Sequence, residues 1–453
     1  MLRFYPTDVL LLLTVLAMAL FLVLSLRQEH LRRPWRKVMG SPTGLVSALL
    51  LGLFTTVAVL DSVRIDQGAQ TLSLLDLGLS NLRTSTEKTY SEPLGVYASV
   101  HEMVRTSDGH ETWTAPRLVF GGRHLVHPEE DRLRDLAQRF FKGGVLGGLA
   151  GALLALLTAW ILWPRRNLLA FSVRTFWAEL PRSLRAVMIT WVVLGCLIGI
   201  AVALAGGYHV LGTDKVGNDV LFQCLKGVRT GIVIGTLTTL ATLPLSLGLG
   251  ILAGFYRGWV DDVIQYLYTT LNAVPGVLLI AAAMLVMESV MGRHEAMFQS
   301  LPARADFRLL ALCLILGITS WTGLCRLIRA ETLKLREMEY VQAARILGVS
   351  EFRILLRHIL PNLFHLVLIS VALDFSSLVL AEAVLSYINI GVDPSTESWG
   401  NMINTARLEL ARDPPVWWSL LGAFGFMFVL VLCANLLADV LRDAFDPKRE
   451  NAA

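Results

Sequence analysis

The residues best placed to do chemistry are two acids inside one apolar run, Asp374 and Glu382, with Ser376 and Ser377 between them. Ionisable side chains in a membrane span are rare, and they mark either a solute pathway or a buried polar contact between helices. Asn272, in another apolar run, is a third residue of that kind. On one helix, Asp374 and Glu382 stand about 12 Å apart along the axis, too far for two carboxyls to share acid–base work. The histidines offer no metal site. His30, His101, His110, His124, His127 and His209 fall in loops at no ligand spacing, His294 sits beside Arg293, and His358 and His365 lie near a helix end. The chain has no Gly-x-x-x-x-Gly-Lys-Ser/Thr phosphate loop, no His-Glu-x-x-His, no Cys-x-x-Cys and no Gly-x-Ser-x-Gly. It is therefore expected to be no enzyme and to hold no metal or cofactor. It cannot itself be a P-loop ATPase.

The elements that would position these groups are membrane helices. Hydrophobic residues make up 54% of the chain and charged residues 17%, and mean hydropathy is +0.58. A soluble chain has no use for that much apolar surface. The net charge of +4 does not argue for nucleic acid, because the basic residues cluster beside apolar runs, as membrane topology produces. Five scattered cysteines suggest no disulfide framework. A span needs about 20 apolar residues, and nine runs qualify: 9–26, 45–60, 143–163, 186–205, 231–255, 266–287, 309–328, 363–385 and 419–441. Ala17-Met18-Ala19 resembles a signal cleavage site, but the apolar run continues to Leu26, so a spanning helix is expected there. Asn272 and Pro275-Gly276 interrupt the sixth run, which predicts a kink. The expected fold is an all-α integral membrane protein of about nine transmembrane helices. Basic loops at 27–40, 165–185 and 326–357 and the basic tail alternate correctly with the N-terminus outside and the C-terminus cytoplasmic.

Between the seventh and eighth runs lies a polar stretch, 339–362, that reads as helix, break, second helix, stop. Met338, Val341, Ala344 and Leu347 recur every three residues as one helical stripe. Gly348 supplies a C-terminal cap, and Ser350 with Glu351 a cap and first turn for a second helix ending at Pro361. Ala343, Ala344 and Gly348 leave a face nearly bare of side chains, where another surface can approach closely. Helical signals alone favour an ordinary basic loop, because they say nothing about a partner.

The one long extracytoplasmic segment is 61–142, with an apolar patch at 71–82 and a helix start at Pro128-Glu129-Glu130-Asp131. A small accessory fold or interfacial helix is expected there. The run 164–185 interleaves Phe171, Phe176, Trp177 and Leu180 with arginines, which predicts a helix lying in the membrane interface. From Tyr208 onward the loops become motif-like. The glycines and aspartates of 211–219 suit a tight turn before a helix capped by Asn218 or Asp219.

Leu211-Gly212-Thr213-Asp214, Gly258-Trp259-Val260-Asp261, the Ala343-Ala344 loop with Gly348 and Leu360-Pro361, Ser398-Trp399-Gly400 and Leu441-Arg442-Asp443 occur in a fixed order. This set resembles the permease subunit of peptide/nickel-type (dipeptide/oligopeptide) ATP-binding cassette (ABC) importers, in particular the subunit that pairs with a second, homologous permease. The resemblance covers about 208–449. It implies an ABC importer type I permease core at 186–453 with a coupling loop at 329–362. Residues 1–185 then form an unusual N-terminal extension of three spans and the 61–142 segment. The location implied is the bacterial cytoplasmic (inner) membrane. The partners implied are two ABC ATPase subunits, the second permease and an extracytoplasmic solute-binding protein. Carried over by position, Glu339, Gln342, Ala343, Ala344, Gly348 and Pro361, with Gly258 and Asp261, belong to ATPase coupling. Asp214, Asp219 and Trp399 belong to the loops on which the binding protein docks. Short peptides are the substrate class implied, with nickel chelates or another small solute as the alternative. Three positions depart from the pattern: Gln342 stands for a usual Glu, Asn218 for Arg and Asn389 for Gly.

Two readings of other classes compete. A membrane sensor with 61–142 as ligand domain requires an output domain, and only about a dozen residues follow Leu441. A membrane enzyme using Asp374 and Glu382 requires carboxyls at one depth, which their spacing excludes.

Overall fold

The computed structural model describes residues 2–27, 29–66, 71–105, 111–162, 180–294 and 300–445. Most of the run expected to lie in the interface at 164–185, and the tail residues Lys448 and Arg449, fall outside the described residues. Among those described, nine helices are long and apolar enough to cross a membrane: Pro6–Ser25, Pro42–Ser62, Pro128–Leu162, Arg182–Ala205, Val220–Tyr256, Gly276–Arg293, Leu301–Arg336, Glu351–Tyr387 and Trp418–Phe445. Each coincides with one of the nine apolar runs. The chain is nearly all helical, with small β elements: a three-stranded antiparallel sheet of Leu2–Arg3, Arg64–Asp66 and Thr71–Ser73, and a hairpin of Glu102–Arg105 with Glu111–Thr114. The 61–142 segment is thus an accessory fold of short strands and short helices leading into one long helix.

The chain forms two compact units, and neither boundary follows the order of the sequence. One holds residues 1–3, 35–230 and 397–433; the other holds 4–34, 231–396 and 434–453.

In the first unit, the helices Pro128–Leu162 and Arg182–Ala205 pack backbone to backbone. Gly143, Gly147 and Gly151 recur every four residues along one helix and meet Gly195 and Gly199 on the other. A Cβ on Gly147 would lie 2.1 Å from the Gly195 carbonyl oxygen, and one on Gly199 would lie 2.3 Å from that of Gly143. Lipid gives apolar side chains no reason to leave it, so close backbone approach and dispersion hold such a pair together. Pro128 opens the first of these helices with Glu129, Glu130 and Asp131 in its first turn, at the positive end of the helix dipole.

In the second unit, the sixth apolar run is two helices, Trp259–Ala273 and Gly276–Arg293, separated by an extended Val274 (φ −91°, ψ 131°) ahead of Pro275. The proline disfavours helical geometry in the residue before it. The Asn272 side-chain oxygen accepts a 3.0 Å hydrogen bond from the Thr322 hydroxyl beside the break. The first spanning helix belongs to this unit. The Thr7 hydroxyl and backbone N–H both donate to the Asp306 carboxylate, and the Phe21 ring lies 5.1 Å from that of Phe364.

One boundary expected from sequence is corrected. Pro361 does not end a helix. The chain runs from Glu351–Ile354 through a wide π turn, Leu355–Ile359, directly into the helix Leu360–Tyr387. In a regular helix a proline ring collides with the carbonyl four residues back. Here the widened turn stands where that clash would arise, and Pro361 occupies the first turn of the renewed α-helix.

The glycine seam yields a direct test. Gly147→Ala is expected to destabilise the protein by roughly 1–3 kcal/mol through overpacking. Gly144→Ala, whose new Cβ would meet only Ile200 side-chain atoms at 3.6 Å or beyond, is expected to be neutral or slightly stabilising. Thermal unfolding in detergent micelles separates the two.

Candidate functional site

The polar stretch after the Leu301–Arg336 helix folds as a short helix, Glu339–Ile346, and its inner side is fixed by apolar burial. Val341 and Ala344 enter a cluster formed by Phe255, Leu324, Ile328, Ile354, Ile359, Leu363 and Val367 from the surrounding helices. Burying an aliphatic side chain of this size contributes roughly 1.5–3 kcal/mol relative to exposure. The helix ends on Gly348 at φ +75°, where the Gly348 N–H donates to Arg345 O (3.1 Å) and the Val349 N–H to Ala344 O (3.1 Å). That pair of bonds is the Schellman closure, which needs a left-handed residue and favours glycine. Ser350 occupies the next N-cap position without a side-chain capping bond.

Polar contacts tie the same helix to its neighbours. The Arg345 guanidinium lies 5.1 Å from the Phe255 ring centroid, and Arg336 donates to the Phe255 carbonyl at 2.5 Å. Gln342 donates to Glu337 O at 3.2 Å. A glutamate there would have no proton to give and would face the Glu337 carboxylate, so the amide suits this position. Asp261 turns into the bundle and takes two charge-assisted bonds from Arg329, at 2.5 and 2.6 Å. The Arg329 guanidinium holds this carboxyl below its usual range. Gly258 opens that turn at φ +60° with open space around it.

The outward side is apolar, which the sequence reading missed. Ile346 is 86% exposed, Leu347 81% and Phe352 72%, beside exposed Gln342, Ala343 and Gly348. The expected stripe of Met338, Val341, Ala344 and Leu347 is therefore only half right. Val341 and Ala344 face the core, whereas Met338 and Leu347 face out because the helix ends one turn too early to carry the stripe on. The overlooked signal was the pair Ile346-Leu347 at the tip of a basic loop. Among the predicted coupling residues, the structure brings Glu339, Gln342, Ala343 and Gly348 to the exposed side and puts Ala344 and Asp261 inside.

At the 208–220 loop, charge is buried rather than displayed. His209 lies between Asp219 (Nδ1 to Oδ2, 2.8 Å) and Glu87 (Nε2 to Oε1, 3.5 Å). Burial opposes the charged imidazole, but its contacts with the two carboxylates outweigh it and push the pKa up to about 9. Burial likewise opposes charge on Glu87, yet its carboxyl is held below the usual range by His209 and by the backbone N–H groups of Val119, Phe120 and Gly121. Thr213 accepts from the Ser91 N–H and donates to Thr89 O, and Tyr90 donates to Glu409 at 2.8 Å. Lys226 reaches Asp61 (2.6 Å) and Asp76 (2.9 Å).

Two docking expectations are corrected here. Asp219 is 1% exposed and caps the Val220–Tyr256 helix through the Phe222 N–H. Trp399 is 2% exposed, donates to Cys224 O and leaves no room for a side chain at Gly227. Both are internal supports and neither can touch a partner. Asp214 is half-buried and accepts from the Val216 and Asn218 N–H groups and from Gln223.

The intramembrane acids differ in environment. Glu382 is buried and accepts from Ser386 at 2.7 Å. Asp374 instead lines a small cavity with Thr239, Thr242, Ser320 and Ser377. Asn389, one of the three departures, sits at φ +62°. That is left-handed backbone where the family pattern has Gly, and Asn is among the non-glycine residues that adopt it most readily.

Comparison with known proteins places this architecture. Residues 246–451 match the family described as binding-protein-dependent transport system inner membrane component. Over 240 residues the chain is 32% identical to the glutathione transport system permease protein GsiD of Pectobacterium atrosepticum, covering 53% of this chain and 73% of that one. It is 31% identical over 242 residues to the oligopeptide transport system permease protein OppC of Mycobacterium bovis, covering 53% and 77%. The OppC protein of Bacillus subtilis is 30% identical over 240 residues, covering 53% and 72%.

The His209 contact predicts a pH dependence with a definite sign. Its folded pKa of about 9 lies above the ordinary histidine value of 6.5. The stabilisation is therefore complete below about pH 6.5 and is lost as pH rises through about 9. Melting temperatures of wild type and His209→Gln, compared from pH 6 to 10, should differ most at the acid end and converge at the alkaline end.

Proposed function

Because the chain belongs to the family of binding-protein-dependent transport system inner membrane components, we propose that it is the permease subunit of an ATP-driven importer of short peptides. The peptide reading rests on its similarity to permeases named for glutathione and oligopeptide transport. The partners proposed are two ABC ATPase subunits, a second homologous permease and a solute-binding protein. The charge alternation of the loops supports a cytoplasmic 329–362 loop and C-terminus, with the 61–142 segment on the opposite side. Residues 186–453 are proposed as the permease core and 1–185 as an extension fastened to it.

The observation that carries the coupling role is the set of exposed apolar side chains at the end of the Glu339–Ile346 helix and just beyond it. Ile346, Leu347 and Phe352, exposed beside a bare Ala343 and Gly348, offer apolar surface that a partner would bury. Their inner neighbours are packed and ion-paired, so a push on the outer face is delivered to the spans rather than absorbed by a loop. ATP-driven closure of the ATPases is the push, and the switch between inward and outward access is the response.

Two experiments test this reading. The double variant Ile346→Asp, Leu347→Asp is expected to keep its melting temperature, because both side chains are already exposed. It should lose at least tenfold in co-purification with the ATPase subunits, and retention at the wild-type level would remove the coupling assignment. Reconstituted with its partner subunits and binding protein in liposomes, the wild type is expected to accumulate radiolabelled trialanine only with ATP on the ATPase side.

A further inference from the structure

A cavity of about 60 Å³ lies among the helices Val220–Tyr256, Leu301–Arg336 and Leu360–Tyr387, lined by Thr239, Thr242, Ser320, Asp374 and Ser377 with apolar neighbours. Asp374 is near the middle of its helix, about 20 Å from either end at 1.5 Å per residue. An ionised side chain is least tolerated at that depth. Among the described residues its carboxylate has no hydrogen-bond or ion-pair partner; only its backbone carbonyl is used, by Ser377.

Three of the four hydroxyls around it are already committed in a particular sense. Thr239 donates to Gly235 O (2.7 Å), Thr242 to Thr238 O (2.9 Å) and Ser377 to Asp374 O (2.8 Å). Their protons are spent inside the helices, and oxygen lone pairs are what they offer to anything entering the cavity. Apart from the Ser320 hydroxyl, the polar lining therefore presents a carboxylate and acceptor oxygens, and it contains no cationic side chain. Its chemical complement is a small cation that brings its own hydrogen-bond donors. At about 10–15 Å³ of such space per water, the cavity holds a few waters, room enough for an ammonium group and too little for a whole peptide.

We propose that Asp374 is a specificity-determining residue of the translocation path, whose carboxylate receives the protonated amino group of the substrate at mid-membrane. This rests on the peptide reading above. A primary ammonium at one end is common to unmodified peptides whatever their side chains, so one acid can serve the whole class without selecting among sequences. Glu382 cannot take this role, because it is buried and already accepts a hydrogen bond from Ser386.

The test uses the complete complex in liposomes, with radiolabelled trialanine as the probe and ATP hydrolysis measured in parallel. Asp374→Asn keeps the shape and removes the charge. It is expected to raise the KM for trialanine uptake about tenfold or more, while ATP hydrolysis stimulated by the loaded binding protein stays at the wild-type level. Asp374→Glu is expected to restore most of the uptake. Asp374→Cys is expected to react with a water-soluble methanethiosulfonate above the wild-type background, and trialanine with ATP is expected to slow that reaction. Wild-type uptake kinetics in Asp374→Asn, or an Asp374→Cys inert in every nucleotide state, overturns the assignment and leaves the peptide reading standing. Uptake that follows Na⁺ in the wild type and loses that dependence in Asp374→Asn identifies a metal-cation site and overturns the ammonium. A wild-type complex that couples ATP hydrolysis to a different solute and takes up no trialanine overturns the peptide reading and the ammonium site with it.

Discussion

The structure turns on the seating of one short helix. Val341 and Ala344 are buried among Phe255, Leu324, Ile328, Ile354, Ile359, Leu363 and Val367, which come from the ends of three membrane helices. Close-packed contacts of this kind yield little under load. Around them, Arg345 over Phe255, Arg336 on the Phe255 carbonyl and the Asp261–Arg329 pair resist sliding and rotation. Everything proposed about energy transfer depends on that rigidity. If Val341 and Ala344 were loose, the exposed Ile346, Leu347 and Phe352 could still bind a partner, but the spans would not feel it.

At the other site the polar groups look inward. Glu87 gathers three backbone N–H groups and the imidazole of His209, and Asp219 holds the other ring nitrogen while capping a membrane helix. Lys226 is shared by Asp61 and Asp76, whose side chains are nearly sealed from solvent. Removing one partner from such a cluster strands the others, and a stranded buried charge costs about 3–5 kcal/mol. These contacts bind the 61–142 segment to the 208–220 loop from several points. A sensor domain must change shape when its ligand arrives, and a segment whose carboxylates are already held by His209 and Lys226 is poorly built for that.

What the sequence disclosed and what it hid divide along physical lines. The nine spans were legible because hydropathy over about 20 residues is a large, averaged signal. Gly348 was legible because few residues adopt φ +75° without strain. Pro361 misled because a proline reads as a stop, and nothing local announces that a π turn will accommodate it. Asp219 and Trp399 misled because a motif in a loop suggests exposure, whereas here the motif residues hold the loop together from within. The glycine seam of Gly143, Gly147 and Gly151 against Gly195 and Gly199 was readable in principle as small residues four apart. It was masked by the general abundance of glycine in apolar runs. The outward apolar face was hidden for a simpler reason: periodicity assigns an apolar residue to a core, and only the early end of the helix at Ile346 shows that Leu347 has none.

The continuity of the helix through Pro361 bears directly on how a push could reach the middle of the membrane. Had the chain broken there, a joint would separate the exposed face at Phe352 from the span beyond. Instead, helical structure runs from Glu351 to Tyr387. Along it lie Phe352 on the outer face, Ile354 and Ile359 in the buried cluster, Asp374 beside the cavity and Glu382 near the far end. From Ile359 to Asp374 is about 22 Å of helix at 1.5 Å per residue. A helix transmits tilt and rotation over such a distance because its hydrogen bonds close on themselves and need no help from lipid. Other polar groups of this unit are paired across helices, as Asn272 is with Thr322 and Ser376 with Asn435, so they steady the bundle while it moves. The Asp374 carboxylate is not spent in that way. One continuous element therefore carries both the surface suited to receiving force and a charge suited to meeting a substrate, and moving the first necessarily moves the second.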